Sequence, residues 1–438
     1  MENADRQASR TRRELTAAAA ALLGGGGLIA ACVALARVPN LVEAPRTFLV
    51  LWGLAFAAYA LGAVAVQRVL GRRALGFVLL VAGACRLVLL PAPPTLSTDA
   101  YRYVWDARVA GAGFSPWAYP ATAPELAGLR DGAIYPRLNH PGWRSVYPPG
   151  AQAFFRAVHA LAPDSVLAMK AALGLAEILT LAALVWLLAA LGLPLARAAI
   201  YAWNPLVLVE VWGSAHLDAL AVLCVVLGMR AAVAERHAVA GALLGAGALI
   251  KLYPAALLPL LLGRLIGRTR VAPLLVTFLG VMVLGYAPSI VGGVDALGSL
   301  PRYVAEESFN PGLLRTLVDV RELSVPAVAL WVLAVAWWRR RRPLPEALVW
   351  LVGGFVLLSP SIFPWYVLWL VPFLALAPSV AWLAFTGTVA LAYTFFLQEP
   401  WAIAVWARVL EFTPLAAGAA WAVGRRFHGR SLRELTPA

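Results

Sequence analysis

The sequence predicts an all-α polytopic membrane protein that crosses the bilayer about 12–14 times, with a broken or short helix pair and large extracytoplasmic loops. Three observations predict it. The 438 residues are 62% hydrophobic and 13% charged, against ~25% charged in a typical soluble domain. Mean hydropathy is +0.78. Apolar segments recur along almost the whole chain, many near the ~20 residues that a spanning helix needs.

Residues 1–14 are polar and carry Arg6, Arg10, Arg12 and Arg13. The positive-inside rule makes them a cytoplasmic tail. The apolar run from Leu15 to Ala36 is too long for a signal-peptide core and lacks a clear cleavage site, so it reads as an uncleaved first span. Spans at 15–37, 47–67 and 74–91 form the N-terminal part, with the basic gap Arg68 to Arg73 inside. Residues 92–163 are broken up by Pro, Gly and Trp and read as an extracytoplasmic loop. Pro148-Pro149-Gly150 starts an interfacial helix there, from Ala151 to Leu161. A span at 165–191 re-enters and leaves Arg197 inside. Spans at 196–213 and 216–233 form a hairpin that ends at Arg230, Glu235 and Arg236.

The next apolar stretch runs from Ala238 to Leu262. A single span there would put Arg264, Arg268 and Arg270 outside, and later Arg339 to Arg342 as well. A break at Lys251-Leu252-Tyr253-Pro254 restores the rule, because Pro254 disfavours helix at Tyr253. Broken helices are tolerated in a membrane only where protein buries them or a cavity receives them. A span at 271–291 leads to a second external loop, 292–322. A span at 324–338 returns to the four arginines, and spans at 345–360 and 365–377 meet at the turn Phe363-Pro364-Trp365-Tyr366. Two more spans complete a core of residues 164–424, and Arg425, Arg426 and Arg430 mark 425–438 as a cytoplasmic tail.

The net charge is +14, nearly all of it arginine in short gaps between apolar segments. Such arginines set topology, so no nucleic-acid partner is expected. Cys32, Cys85 and Cys224 each lie inside an apolar run, which predicts no disulfide. No cofactor is expected. His140 has no second His or Cys at ligand spacing, so no zinc site is visible. Asp99 with Asp106 or Asp218 has the oxygens to hold a divalent cation, Mg²⁺ or Mn²⁺.

The run Ser97-Thr98-Asp99-Ala100-Tyr101-Arg102-Tyr103-Val104-Trp105-Asp106 carries the strongest chemical signal. It sets a carboxylate, two tyrosines and an arginine where a span meets water. Asp99 reads two ways, as the N-cap of a helix over 100–109 or as a general base that Arg102 keeps ionised. Further on lie His140 and Tyr147, in Pro- and Gly-rich turns. Glu210 sits one helical turn deeper than a polar turn requires, while His216 and Asp218 can face the same cavity or simply form and cap the hairpin turn. Lys251 can snorkel, or hold a phosphate as a point charge beside Tyr253 at the break. Trp365 and Tyr366 close the set.

In order and placement these motifs resemble the polytopic GT-C glycosyltransferases, in particular the bacterial mannosyltransferase-like families that use a polyprenyl-phosphate sugar. The resemblance runs from Ser97 to Pro372. It rests on Asp99–Arg108, Gly113–Trp117, Val146–Gly150, Trp203-Asn204-Pro205, Gly213–Asp218, Lys251–Pro254 and Pro364-Trp365-Tyr366. It implies a catalytic Asp in the first large external loop, matched by Asp99. It also implies a donor held on a lipid phosphate, a lipid or glycan acceptor, membrane lipids as surroundings, and inversion at the anomeric carbon. The site would face the periplasm or exterior of a bacterial inner membrane. Lys251 and Arg102 are the cations placed to steady a departing phosphate. Two departures stand out. Phe363 occupies a position where similar proteins often have His. The catalytic loop follows the third span rather than the first, so the first two spans read as an added hairpin. The competing reading is a polytopic transporter or a lipid or glycan flippase, which would show paired halves and ionisable groups at mid-membrane. Here the acids crowd the outer surface.

Overall fold

The computed structural model describes all residues except 1, 69–71, 267–269, 308, 319 and 435–438, and leaves undescribed the side chains of 2–11, 13, 72–73 and 425–434. Of the residues singled out above, Arg268 falls outside the description. So do the side chains of Arg6, Arg10, Arg13, Arg72, Arg73, Arg425, Arg426 and Arg430. Among the described residues all regular structure is helical.

Helices α1 (Glu2–Ala36) and α2 (Pro45–Val66) form a tight hairpin. A side chain on Gly24 would meet the Gly62 backbone at 2.5 Å, and one on Gly62 would meet the Trp203 ring at 2.7 Å. Small residues let helices touch where the hydrophobic effect gives no drive between them. Helix α3 (Arg72–Leu89) leads to α4 (Asp99–Gly111), and the long loop that follows ends in α5 (Pro149–Leu161). Pro149 occupies the first turn, where no amide donor is needed. Gly150 donates its N–H to the Leu249 carbonyl at 2.8 Å. That same carbonyl would clash with any side chain at Gly150. This contact docks the long loop onto the predicted break.

Helix α6 (Val166–Ala190) is long and apolar. The expected span 196–213 is not one helix. It breaks into α7 (Ala198–Ala202), α8 (Pro205–Val207) and a π-helical turn, Leu208–Gly213. Pro205 forces Asn204 into an extended conformation, ψ 121°, and the Asn204 side chain caps the next turn by accepting from the Leu206 N–H. Helices α9 (Asp218–Val233) and α10 (His237–Ala248) follow. The chain then leaves helix at Leu249 and resumes as a 3₁₀ segment, Tyr253–Leu257, running into α11 (Leu258–Leu265). The break therefore falls where Pro254 requires it.

Helix α12 (Val271–Val291) reaches a second loop that holds α13 (Leu300–Glu306) and α14 (Leu313–Val318). Helices α15 (Ser324–Trp338) and α16 (Leu344–Leu358) come next. The span expected over 365–377 begins as a 3₁₀ turn, Pro364–Trp369, and becomes α17 only at Val371–Leu376. Helix α18 (Val380–Thr388) runs on as 3₁₀ to Leu397, and α19 (Val405–Glu434) ends the chain. Among the described residues six segments are long and apolar enough to cross a membrane: 14–36, 45–66, 166–190, 271–291, 321–338 and 380–397. The chain is a multi-pass membrane protein.

Two ends are distinct. At one, Arg264 Nη1 donates to the carbonyls of Arg340 at 3.1 Å and Arg342 at 2.7 Å, and Arg270 pairs with Glu235. This gathers the ends of α9, α11 and α15. The other ends of the same helices carry Asp218, Lys251 and the second loop. Between them a buried ion pair fixes the middle of the bundle. Arg86 holds Glu177 through two bonds, Nη2 to Oε1 at 2.6 Å and Nε to Oε2 at 2.8 Å, while Arg86 Nη1 donates to the Ala202 carbonyl at 2.9 Å. The Trp212 indole adds a donor to Glu177 at 2.9 Å. Lys170 then caps the end of α3 by donating to the carbonyls of Leu89 and Ala92, which sets where the chain emerges toward Asp99.

Removing one partner of a buried pair leaves an uncompensated charge, at a cost of about 3–5 kcal/mol. Arg86→Met is expected to lower the thermal unfolding midpoint in detergent by several degrees, and Arg86→Met with Glu177→Leu to recover much of the loss. If the single variant melts like the parent, the pair does not hold the bundle.

Candidate active site

A cavity of about 910 Å³ opens where the long loop, the break after α10, the second loop and the Pro364 turn converge. Asp99, Tyr101, Arg102, His140, Tyr147, Lys251, Tyr253, Trp365 and Tyr366 all line it. Tyr103, Asp106, Glu210, His216 and Asp218 do not; they lie behind its wall.

Asp99 is the first residue of α4, but its carboxylate does not cap that helix. Ser97 Oγ accepts the Asp99 N–H at 3.3 Å instead. The carboxylate is turned to the cavity, where Oδ1 accepts from Asn139 Nδ2 at 2.7 Å and Oδ2 lies 3.6 Å from His216 Nδ1. Burial pushes the Asp99 pKa up, but His216, Lys251 and Asn139 together hold it below the usual carboxylate range. The side chain stays 15% exposed, so it is ionised yet reachable. Asn139 reaches it from a turn in which His140 takes a positive φ of 43°.

Arg102 does not play the part expected of it beside Asp99. Its Nε donates to Asp106 Oδ1 at 2.8 Å and its Nη2 to the Trp143 carbonyl at 2.9 Å. Asp106 Oδ2 accepts from Ser145 at 2.5 Å and Gln152 at 2.8 Å. Arg102 and Asp106 thus tie α4 to the rest of the long loop, because two charges taken out of water need each other and further hydrogen bonds. The Tyr103 hydroxyl accepts the Leu217 N–H at 3.2 Å, which joins α4 to the hairpin turn.

Lys251 stands at the cavity wall. Its Nζ lies 2.8 Å from Asp218 Oδ2 and 4.9 Å from the centre of the Tyr366 ring. Asp218 Oδ1 accepts from the Trp369 indole at 2.6 Å. Trp369 is sandwiched by Tyr253, with centroids 4.2 Å apart, and Tyr366, at 4.5 Å. The Tyr366 hydroxyl meets that of Tyr303, from the second loop, at 3.1 Å. Lys251 is therefore a fixed cation, 22% exposed, and still free on the cavity side. Trp365 stacks on His216 at 3.9 Å, and Phe363 stacks between Trp365 and Phe309. With Phe395, Phe396 and Trp401 these rings make an apolar lobe beside the charged one. Phe363 belongs to that lobe.

Sequence reasoning did not assign Asn139, Tyr303 or Trp369 their places. Asn139 stands in a loop without periodicity, and the other two depend on pairing between distant segments. Asn40 and Val42, at the tip of the hairpin read as an addition, also line the cavity. The acidic set does not suit a divalent cation. Asp106 is turned into its own knot and Asp218 is neutralised by Lys251. Among the described residues no three His, Cys, Asp or Glu side chains gather as ligands.

An ionised carboxylate and a fixed ammonium thus share one cavity at the helix ends of a polytopic bundle. Residues 15–267 match the model of the MptA_B family, alpha-(1->6)-mannopyranosyltransferase, N-terminal domain, and the chain belongs to that family. It is a glycosyltransferase that moves mannosyl groups, which decides between the transferase and transporter readings. No curated protein matches it. The matched stretch includes Asp99, Glu210, His216, Asp218 and Lys251 and ends before the Pro364 turn.

The downward shift at Asp99 has a pH signature. A carboxylate with a depressed pKa stays charged below the ordinary value of ~3.9. The turnover rate is expected to stay level from neutral pH down to the limit of protein stability. A protonation limb near pH 6 in kcat would contradict the site's electrostatics.

Proposed function

We propose that this mannosyltransferase takes its mannosyl group from a polyprenyl-phosphate donor and passes it to a hydroxyl of a lipid or glycan acceptor, with inversion and with Asp99 as the general base. The reaction takes place at the extracytoplasmic face of the inner membrane. The observation that carries this reading is the placement of Asp99 and Lys251 in one cavity that also has an apolar aromatic lobe.

The steps follow from charge and position. The acceptor hydroxyl gives its proton to Asp99 as its oxygen bonds to the anomeric carbon. The bond from that carbon to the phosphate oxygen breaks, and the phosphate leaves with the electron pair. Lys251, already paired with Asp218 and stacked over Tyr366, offers positive charge to the leaving group without having to reorganise. The lobe of Phe309, Phe363, Phe395, Phe396 and Trp401 suits the first isoprene units of a lipid chain. The arginine-rich end, with Arg264, Arg270 and Arg339 to Arg342, favours the cytoplasm, and the cavity lies at the opposite end of α9, α11 and α15.

Asp99→Asn is expected to extract and melt like the parent and to lose about 10²–10⁴-fold in transfer, measured with polyprenyl-phosphate mannose and candidate glycolipid acceptors. Parental turnover in that variant would remove Asp99 as the base. Lys251→Met is expected to raise the donor KM about tenfold or more, with Lys251→Arg retaining more of the donor use. Equal donor saturation in all three proteins would remove Lys251 from phosphate binding.

A further inference from the structure

His216 is a titratable group beside Asp99 that the mechanism above leaves unused. It is fully buried and absent from the cavity lining, so it does not touch substrate. Three elements hold it. Its own turn, in which Ala215 takes a φ of 60°, lets the His216 N–H donate to the Glu210 carbonyl at 3.0 Å. The π-helical turn places Glu210 Oε2 3.2 Å from Nε2. Trp365 covers the ring face at 3.9 Å and 16°. The remaining ring nitrogen, Nδ1, faces Asp99 Oδ2 at 3.6 Å. Neither approach has hydrogen-bond alignment, since both ring nitrogens lack a hydrogen-bond partner. Glu210 is itself held from behind, where the Tyr393 hydroxyl donates to Oε1 at 2.8 Å.

A neutral ring would leave the fully buried Glu210 without a countercharge and would leave Asp99 to Lys251 and Asn139. A protonated ring compensates both carboxylates from between them, 3.6 Å from Asp99 Oδ2 and 3.2 Å from Glu210 Oε2. We propose that His216 is a positioning residue: an imidazolium clamped by Glu210 and Trp365 that keeps the Asp99 carboxylate ionised and aimed into the cavity. The charged and titratable groups around it are Asp99 from α4 and Glu210 from the π-helical turn, with Tyr393, Asp218, Lys251 and Tyr103 one contact further out. Lys251 supports the same charge on Asp99 from the other side. The Pro-Trp-Tyr turn thereby gains a second task, because Trp365 keeps the imidazole from swinging out.

The inference rests on Asp99 being the base, and the test separates the two. The pH profile of kcat is measured for purified full-length parent, His216→Asn and His216→Gln, with Asp99→Asn as the reference. Losing the cation beside Asp99 raises the carboxyl pKa. The acidic limb, lying below about pH 4 in the parent, is therefore expected to climb by one unit or more in both His216 variants. Turnover at neutral pH is expected to fall about 10- to 100-fold, with donor KM changed less than about threefold. A purely structural role would lower the amount of active enzyme and leave the limb in place, and that result would overturn the proposal. If the His216 variants do not fold, Glu210→Gln decides. Removing that anion makes the ring easier to deprotonate, so the alkaline limb is expected to move to lower pH; an unmoved limb overturns the proposal. Parental activity in Asp99→Asn would instead overturn the base assignment, whatever the His216 variants show.

Discussion

A charge withdrawn from water inside a membrane protein must be met by an opposite charge, and this chain is arranged around that requirement. Arg86 meets Glu177 between α3 and α6. Arg102 meets Asp106 along α4, with Ser145 and Gln152 taking the spare lone pairs. Lys251 meets Asp218 between the break after α10 and the start of α9. The Arg86 and Lys251 pairs join segments far apart in sequence, and Ser145 and Gln152 carry the α4 pair across the long loop, so pairing serves as a register for tertiary structure. Changing one member does more than delete a contact, because the other member is then left buried and bare.

The same requirement explains where the helices fail. The chain gives up regular α-helix at Trp203–Asp218, at Leu249–Tyr253 and at Pro364–Trp369, and these three segments back or line the cavity. Open backbone is tolerated at such depth only when protein covers it or a cavity receives it. A proline lies within or just after each departure, at Pro205, Pro254 and Pro364. The side chains nearby then satisfy what the helix leaves open: Asn204 caps the turn at Leu206, and the Trp369 indole donates to Asp218. Asp99 and Lys251 owe their positions to these irregular stretches more than to any long helix.

Much of this was legible in the residues. The long spans could be read from apolar length, and the break at Lys251 from the conflict between a single span and the arginines on either side of it. Asp99, Lys251, Tyr366 and Trp365 were visible as polar or aromatic groups at span ends. Other features were not. The span drawn over 196–213 missed the break at Asn204, because hydropathy does not register a cap. Arg102 was assigned to Asp99 by adjacency, yet on a helix the residue four positions on, Asp106, shares its face. The burial of Glu210 and His216 behind Asp99, and the arrival of Tyr303 and Trp369, arise from contacts between distant segments that no local pattern carries.

The central claim is geometric: one cavity holds the leaving phosphate against Lys251 while Asp99 faces the opposite side of the anomeric carbon. A cryo-EM structure of the full-length protein in lipid nanodiscs, with a non-transferable phosphonate analogue of polyprenyl-phosphate mannose, tests it most directly. The account predicts phosphonate density within about 4 Å of Lys251 Nζ, the lipid chain along Phe309, Phe363 and Trp401, and the Asp99 carboxylate across the sugar from the phosphonate. Phosphonate density at the arginine-rich end, or an Asp99 carboxylate on the same side of the sugar as the phosphonate, would contradict it.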